Sequence, residues 1–283
     1  VCRFTLYVGP PLRLAALVTE PEHSLIHQSF QSKEREEPLN GDGFGVAWYA
    51  PALTKNAVAF RSVSPAWSNR NLQDLASAVE SSCVLAHVRA ATQSTSVSES
   101  NCHPFCVGPL AFMHNGDLAA FSRVRRKFLG LLSDEAFSRI GGTTDSEHLF
   151  ALFRDRYEHA TGEDEARRMA NALRATMRDA MSLVADAGSD EASYLNIAVS
   201  NGTSAVACRF TTDDPKEALT LYVSSGRQYL CEDGQCRLVD PEPGTETVLV
   251  SSEPLTKDRV WNAVPANHLV LIHGDRSVEI EPV

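Results

Sequence analysis

The sequence predicts an α+β protein in which sheets stack on one another and helices lie outside them. Three observations carry that prediction. Asn201-Gly202 separates two strand-like runs, Tyr194–Ser200 and Ser204–Phe210, a strong hairpin signal. Cys83-Val-Leu-Ala-His-Val88 is a continuous apolar run of strand length. Between them, Met169, Leu173, Met177, Met181 and Val184 form one apolar stripe on a helix from about Glu163 to Ala187, a stripe that reads as core.

The remaining elements follow in chain order. Val1-Cys-Arg-Phe-Thr-Leu-Tyr-Val8 has one early charge and a short apolar stretch broken by Gly9-Pro-Pro11, so it reads as an edge or core strand and not as a signal peptide. Phe44, Val46 and Trp48 alternate with small residues after a Gly-rich turn, the pattern of a half-buried strand. Leu110-Ala-Phe-Met113 is another strand, ending at Asn115-Gly116. Thr144 and Glu147 form a capping box ahead of Leu149, Phe150, Leu152 and Phe153, which opens a helix. After Gly188 the pattern is mostly β, with strands at Leu219–Ser224, Thr247–Ser251 and His268–His273. No repeat, low-complexity tract or long linker divides the chain, which reads as one domain.

Charge excludes some functions. Lys and Arg total 26 against 36 Asp and Glu, a formal net of −10. An acidic surface repels phosphate backbones and anionic lipid, so neither nucleic acid nor a membrane surface is an expected partner. The basic run Arg123-Val-Arg-Arg-Lys127 reads as a solvated helix face. No window approaches the roughly 20 apolar residues that span a bilayer. The odd count of 7 cysteines, without framework spacing, fits a reduced, cytoplasmic protein. Cys231 and Cys236 flank a turn at Glu232-Asp-Gly-Gln235, where pairing across a hairpin is the alternative.

Four places carry candidate chemistry. Cys2 would unite a thiol and a free α-amine once residue 1 is removed, and that amine, with an ordinary pKa of about 7.7–8.0, can take the thiol proton without a separate His base. His114-Asn-Gly-Asp117 supplies a carboxamide N–H2 beside a Gly backbone N–H, either as oxyanion donors or as a type I′ turn. Arg89 closes a buried strand, where it can clamp a carboxylate bidentately or make a structural ion pair. Asp145, in the first turn of the Thr144 helix, can hold an ammonium group or simply complement the helix dipole. Cys102, His103, Cys106 and His114 cluster in sequence, but their spacings fit no common zinc pattern and no metal site is expected. His103 reads as a residue shaping a pocket, and His87 as a satisfied core histidine.

These signals fall in the order seen in the class II, or N-terminal-nucleophile, glutamine amidotransferases. The start Cys2-Arg-Phe, Asn40-Gly-Asp-Gly-Phe-Gly45, Ala86-His-Val-Arg-Ala-Ala-Thr92, Asn101-Cys-His-Pro-Phe105, Met113-His-Asn-Gly116 and Thr143-Thr-Asp-Ser-Glu147 all resemble that family. Pro21-Glu-His-Ser-Leu-Ile-His-Gln-Ser29, Pro65-Ala-Trp67, Ser252-Glu-Pro-Leu-Thr256 and Trp261-Asn-Ala-Val-Pro265 extend the resemblance to nearly the whole chain. They look like the stand-alone subfamily that contains the amidotransferase-like subunit of the fungal glutathione-degrading complex. The resemblance implies a four-layer αββα sandwich of the N-terminal-nucleophile hydrolase type, one domain over residues 2–283. It makes Cys2 the nucleophile, Asn115 and Gly116 the oxyanion hole, Arg89 the holder of the substrate α-carboxylate and Asp145 that of the α-amine, with no cofactor. The family begins Met-Cys where this sequence has Val-Cys, so removal of Val1 is expected.

The implied reaction is hydrolysis of a γ-glutamyl amide through a Cys2 thioester. Glutathione is the implied substrate, cysteinylglycine the leaving group, and a metallopeptidase-like protein the implied partner. The alternatives are a glutaminase subunit delivering ammonia to a separate synthase, a γ-glutamyl hydrolase of sulfoxide-thiol (ergothioneine-type) metabolism, and a catalytically silent binding subunit.

Overall fold

A computed structural model describes residues 2–34, 39–91, 97–232 and 234–283; Val1, Thr92 and Asp233, used in the sequence reading, lie outside them. The first part of the chain forms β1 (Arg3–Arg13), α1 (Ala15–Val18), α2 (Leu25–Gln28), β2 (Phe44–Trp48), β3 (Val58–Ser62), α3 (Arg70–Ala78) and β4 (Glu80–Val88). β5 (Phe105–Val107) and β6 (Leu110–Asp117) lead into α4 (Phe121–Leu129), α5 (Asp134–Ser138), α6 (Asp145–His159) and α7 (Glu165–Asp186). The remainder is β7 (Tyr194–Ser200), β8 (Ala205–Thr211), β9 (Tyr222–Glu232), β10 (Gln235–Val239), β11 (Thr247–Ser251), β12 (Asn262–Ala263), β13 (His268–Ile272) and β14 (Val278–Pro282).

The strands build two antiparallel sheets. One runs β10-β9-β11-β1-β4-β2-β3, with β12 also on β9; the other runs β14-β13-β8-β7-β6-β5. Side chains alternate across each strand, and both faces are covered, which explains the unbroken apolar runs. Phe4, Leu6, Cys83 and Leu85 share one core cluster with Met113, Ala198, Ala207 and Val270, so the two sheets meet face to face. Their neighbours Tyr7, Val84 and Ala86 turn the other way, into a cluster with Leu17, Leu25 and Leu72 of the short helices. Phe112, Ile197 and Val199 pack against Leu149, Phe153, Met169, Leu173 and Met177 of α6 and α7. The methionine stripe is therefore core, as its spacing predicts.

Three expectations change. β1 does not stop at Gly9-Pro10-Pro11 but continues to Arg13, with its pairing to β4 shifting between Val8 and Leu12; prolines donate no N–H, and an irregular register accommodates that loss. β6 does not turn at Asn115-Gly116: Asn115 pairs with Asn196 and Gly116 with Leu195, so the hairpin alternative falls. Cys231 and Cys236 stand opposite each other on β9 and β10 and form a disulfide, where the sequence favoured reduced cysteines. Among the described residues no helix is long and apolar enough to cross a membrane.

Glu253, just past β11, ties the start of the chain to its end. Fully buried, it receives Arg3 Nε at 2.9 Å and His23 Nε2 at 2.7 Å, along with Ser32 and the Lys33 amide. Burial alone would raise its pKa, but these donors outweigh it and hold the carboxyl far below the usual range. Glu253→Gln removes the buried charge that Arg3 and His23 both meet and should cost about 3 kcal/mol in urea unfolding at neutral pH. Because the folded-state pKa is depressed, that contribution is complete above the unfolded value of about 4.3 and fades as pH falls below it. The gap between wild type and variant should accordingly narrow from pH 5 to pH 2, and a pH-independent gap would show that the charge is not what stabilises.

Candidate active site

Four elements end at one rim of the stacked sheets: the start of β1, the ends of β4 and β6, and the start of α6. Cys2, Arg89, Gly116 and Asp145, one from each, line a single cleft of about 740 Å³ together with His103, His114, Asp117 and Thr144. Sequence positions 2, 89, 116 and 145 are thus brought together.

Cys2 is half-buried, its Sγ 3.7 Å from the Ala90 carbonyl. Burial pushes the thiol pKa up, and the Arg89 and Arg3 guanidiniums pull it the other way. Arg3 Nη1 donates to the Cys2 carbonyl at 2.9 Å, so the Glu253 anchor reaches the residue that carries the thiol.

Gly116 occupies a position only glycine tolerates. Its φ is +137°, and a Cβ there would sit 1.9 Å from the Tyr194 carbonyl oxygen on β7. β5 covers β6 only from Leu110 to Phe112, which leaves the far half of β6 open along one edge. The His114 carbonyl already faces that edge, where it accepts from His87 Nε2 at 3.2 Å. Regular alternation along an antiparallel strand would send the Gly116 N–H, two residues on, out by the same edge. Asn115 does not line the cleft: it is buried, and its Oδ1 has no hydrogen-bond partner among the described residues.

Asp145 begins α6 behind the Thr144 cap, whose hydroxyl accepts from the Glu147 amide at 3.3 Å. The capping box is only half made, because the Glu147 carboxylate accepts from the Gly141 and Gly142 amides instead. Asp145 Oδ2 accepts from the Leu118 amide at 2.7 Å and Oδ1 from the Ser146 amide at 2.8 Å. A carboxylate offers about four lone-pair sites, so room for an ammonium remains. Asp117, in the same cleft, has its carboxyl pKa raised, first by the protein mass around it and then by the Asp145 charge. Arg89 is buried; its amide donates to the Gly43 carbonyl at 2.8 Å and its Nη1 lies 3.4 Å from the Asp42 carbonyl. Asp42 also accepts from the Ala91 amide at 2.8 Å, which pins the strand end that carries Arg89.

Three histidines back the cleft. His114 Nε2 donates to the Tyr194 carbonyl at 3.2 Å, so Nδ1 is free to accept from the Ser146 hydroxyl at 2.9 Å. His87 is only half satisfied, since its Nδ1 has no partner among the described residues, and burial pushes its pKa down to about 3. His103 stacks on His87 with ring centres 4.2 Å apart, with neither ring nitrogen partnered among the described residues, and its pKa falls well below the usual value through burial. Its backbone presses so close to β2 that a Cβ on Gly45 would meet the His103 carbonyl oxygen at 2.2 Å, which accounts for part of the glycine-rich block. Among the described residues, no three of Cys102, His103, Cys106 and His114 converge; the one group with metal-ligand spacing is Glu20 with Cys231 and Cys236, whose sulfurs are already joined to each other.

The sequence reading missed Asp117 and Arg125 as lining residues. The signal for Arg125 is its spacing: it follows Phe121 by four residues on α4, so the two share a helix face, and both line the cleft.

Comparison with known proteins identifies the family. The family model for class II glutamine amidotransferases matches residues 14–282, a span that begins after Cys2. A probable glutamine amidotransferase of Saccharomyces cerevisiae, DUG3, is 40% identical over 96% of this chain and 82% of its own length. The gamma-glutamyl-hercynylcysteine sulfoxide hydrolase of Mycolicibacterium smegmatis is 28% identical over 100% of both chains. Among solved structures, a glutamine aminotransferase class-II domain protein from Silicibacter pomeroyi superposes with a TM-score of 0.69 over 99% of each chain, at 25% identity. With the matched span covering nearly the whole fold and a 40% identical relative over most of its length, the chain belongs to the class II glutamine amidotransferases and is an enzyme of that hydrolase and amidotransferase family.

Proposed function

We propose that this enzyme hydrolyses a γ-glutamyl amide bond through a thioester on Cys2, with glutathione as substrate and cysteinylglycine as the amine released. The observation that carries the reading is the convergence of Cys2, Gly116, Arg89 and Asp145 on one cleft. In this reading residues 2–283 act as a single amidotransferase-like domain of the four-layer αββα type. The Cys2 thiol loses its proton to its own α-amine, and the sulfur attacks the γ-carbonyl carbon. The oxyanion is met by the Gly116 N–H, with Asn115 turning its carboxamide N–H2 toward the same point. Collapse breaks the C–N bond, and the α-ammonium of Cys2 gives its proton to the departing nitrogen. Water, deprotonated by the same amine, then attacks the thioester and frees glutamate and the thiol. Arg89 and Asp145 hold the α-carboxylate and α-ammonium of the glutamyl group throughout. The scheme requires Cys2 to be the terminal residue.

A second reading, hydrolysis of a γ-glutamyl sulfoxide, is favoured by the full-length match to the mycobacterial hydrolase. The deciding experiment is intact mass after incubation with 6-diazo-5-oxo-norleucine, followed by peptide mapping. We expect one adduct, on an N-terminal Cys2. A protein that retains a residue ahead of Cys2 and takes up no adduct overturns both readings.

A further inference from the structure

The cleft is larger than a glutamyl group needs. Its volume of about 740 Å³ lies in the range that encloses a drug-sized molecule, and free glutamine would fill only a small part of it. What lies beyond the glutamyl groups is α4, which contributes Phe121, Ser122 and Arg125 to the lining.

Arg125 differs from its basic neighbours. Arg126 and Lys127 are exposed, whereas Arg125 is half-buried at the cleft wall. Its Nε donates to His148 Nε2 at 3.3 Å. His148 Nδ1 in turn donates to the Thr144 carbonyl at 2.7 Å, so its Nε2 has only a lone pair to offer. The His148 ring is held neutral by burial, which lowers its pKa. Arg125 is thus oriented by a neutral acceptor and forms no ion pair with a carboxylate among the described residues. Glu191, an acidic residue of the same lining, has Oε2 taken by the Ala120 amide at 3.0 Å. A partly buried guanidinium with both terminal nitrogens left over is the donor geometry that grips a carboxylate bidentately.

Resting on the γ-glutamyl reading above, we infer that Arg125 binds a second carboxylate on the substrate, one carried by the leaving amine. The α-carboxylate belongs to Arg89, and a γ-linked glutamyl group has no other free carboxylate, so the second must come from the far side of the scissile bond. This selects γ-glutamyl peptides with a free C-terminus over glutamine. Phe121, one turn before Arg125, offers the apolar flank against which the peptide's middle side chain would lie.

The test compares kcat/KM for glutathione and for its C-terminal amide, which differ only in that carboxylate, on wild type, Arg125→Gln and Arg125→Lys. Wild type should favour the acid by about tenfold or more, the effect of one charge-assisted hydrogen-bonded pair. Arg125→Gln should bring the ratio close to one, and Arg125→Lys should keep part of it. Equal use of acid and amide by wild type overturns the inference without any variant. So does an equal loss on both substrates in Arg125→Gln, or failure of wild type to cleave either peptide while it hydrolyses glutamine. Alkylation of Cys2 by the glutamine analogue is scored separately, so failure of the γ-glutamyl reading is distinguishable from failure of this one.

Discussion

Cys2→Ala should lower turnover of any γ-glutamyl substrate by at least about a thousandfold, as expected when the nucleophile of a concerted set is removed. Covalent labelling by 6-diazo-5-oxo-norleucine should disappear with it. The fold should survive, because the side chain is small and only half-buried and its one hydrogen bond is a weak sulfur contact to the Ala90 carbonyl. Circular dichroism and the urea midpoint should match wild type within about 0.5 kcal/mol, the usual range for a site outside the core. Near-normal activity in this variant would remove the thioester mechanism outright. The other free cysteines give no substitute: Cys83 and Cys208 are fully buried, and burial pushes both thiols up to about 12. Cys102 and Cys106 lie outside the cleft lining.

Gly116→Ala should be as damaging by a different route. The added methyl must take the space of the Tyr194 carbonyl oxygen, 1.9 Å away, and the residue must hold φ +137°, which L side chains rarely adopt. The obstacle is backbone on a central strand, so nothing flexible can yield. The strain should cost about 3 kcal/mol, read as a drop in the urea midpoint. Activity should fall further than stability accounts for. Relief of the clash has to move the β6–β7 pairing and with it the N–H that the proposal assigns to the oxyanion, and loss of one such donor costs about a hundredfold or more in kcat. The separating measurement is KM: it should change little, since Arg89 and Asp145 sit on other elements. A variant with wild-type kcat would show that the Gly116 N–H is not the donor.

What the sequence disclosed was decided by how local each cause is. The Asn201-Gly202 hairpin was legible because a turn depends on its own few residues: Gly202 adopts φ +98°, although residues 201–204 all lie between β7 and β8. The same dipeptide at Asn115-Gly116 means something else: there glycine serves the close approach of a neighbouring strand, and the chain continues straight. Only the helix-like spacing of Leu118 and Phe121 argued against the turn. Cys2, Arg89, Gly116 and Asp145 were legible as residue types suited to one chemistry, and as family blocks in order, though nothing in their spacing shows that they meet. The role of Glu253 was not legible, since its partners Arg3, His23 and Ser32 lie at the opposite end of the sequence. Arg125 was hidden inside a basic run, where charge drew attention away from the side of α4 on which it lies.

The position of β1 has a consequence for how the enzyme is made. This strand is hydrogen-bonded on one side to β4 and on the other to β11, with Thr5 paired to Ser251 across a separation of 246 residues. Contacts so distant in the chain make for slow assembly, since loop closure must precede any gain from pairing. Until β11 has left the ribosome, the leading segment has one unfilled edge and the Glu253 anchor does not exist. During that interval the free β1 edge can pair wrongly; once the sheet closes, the strand is interior.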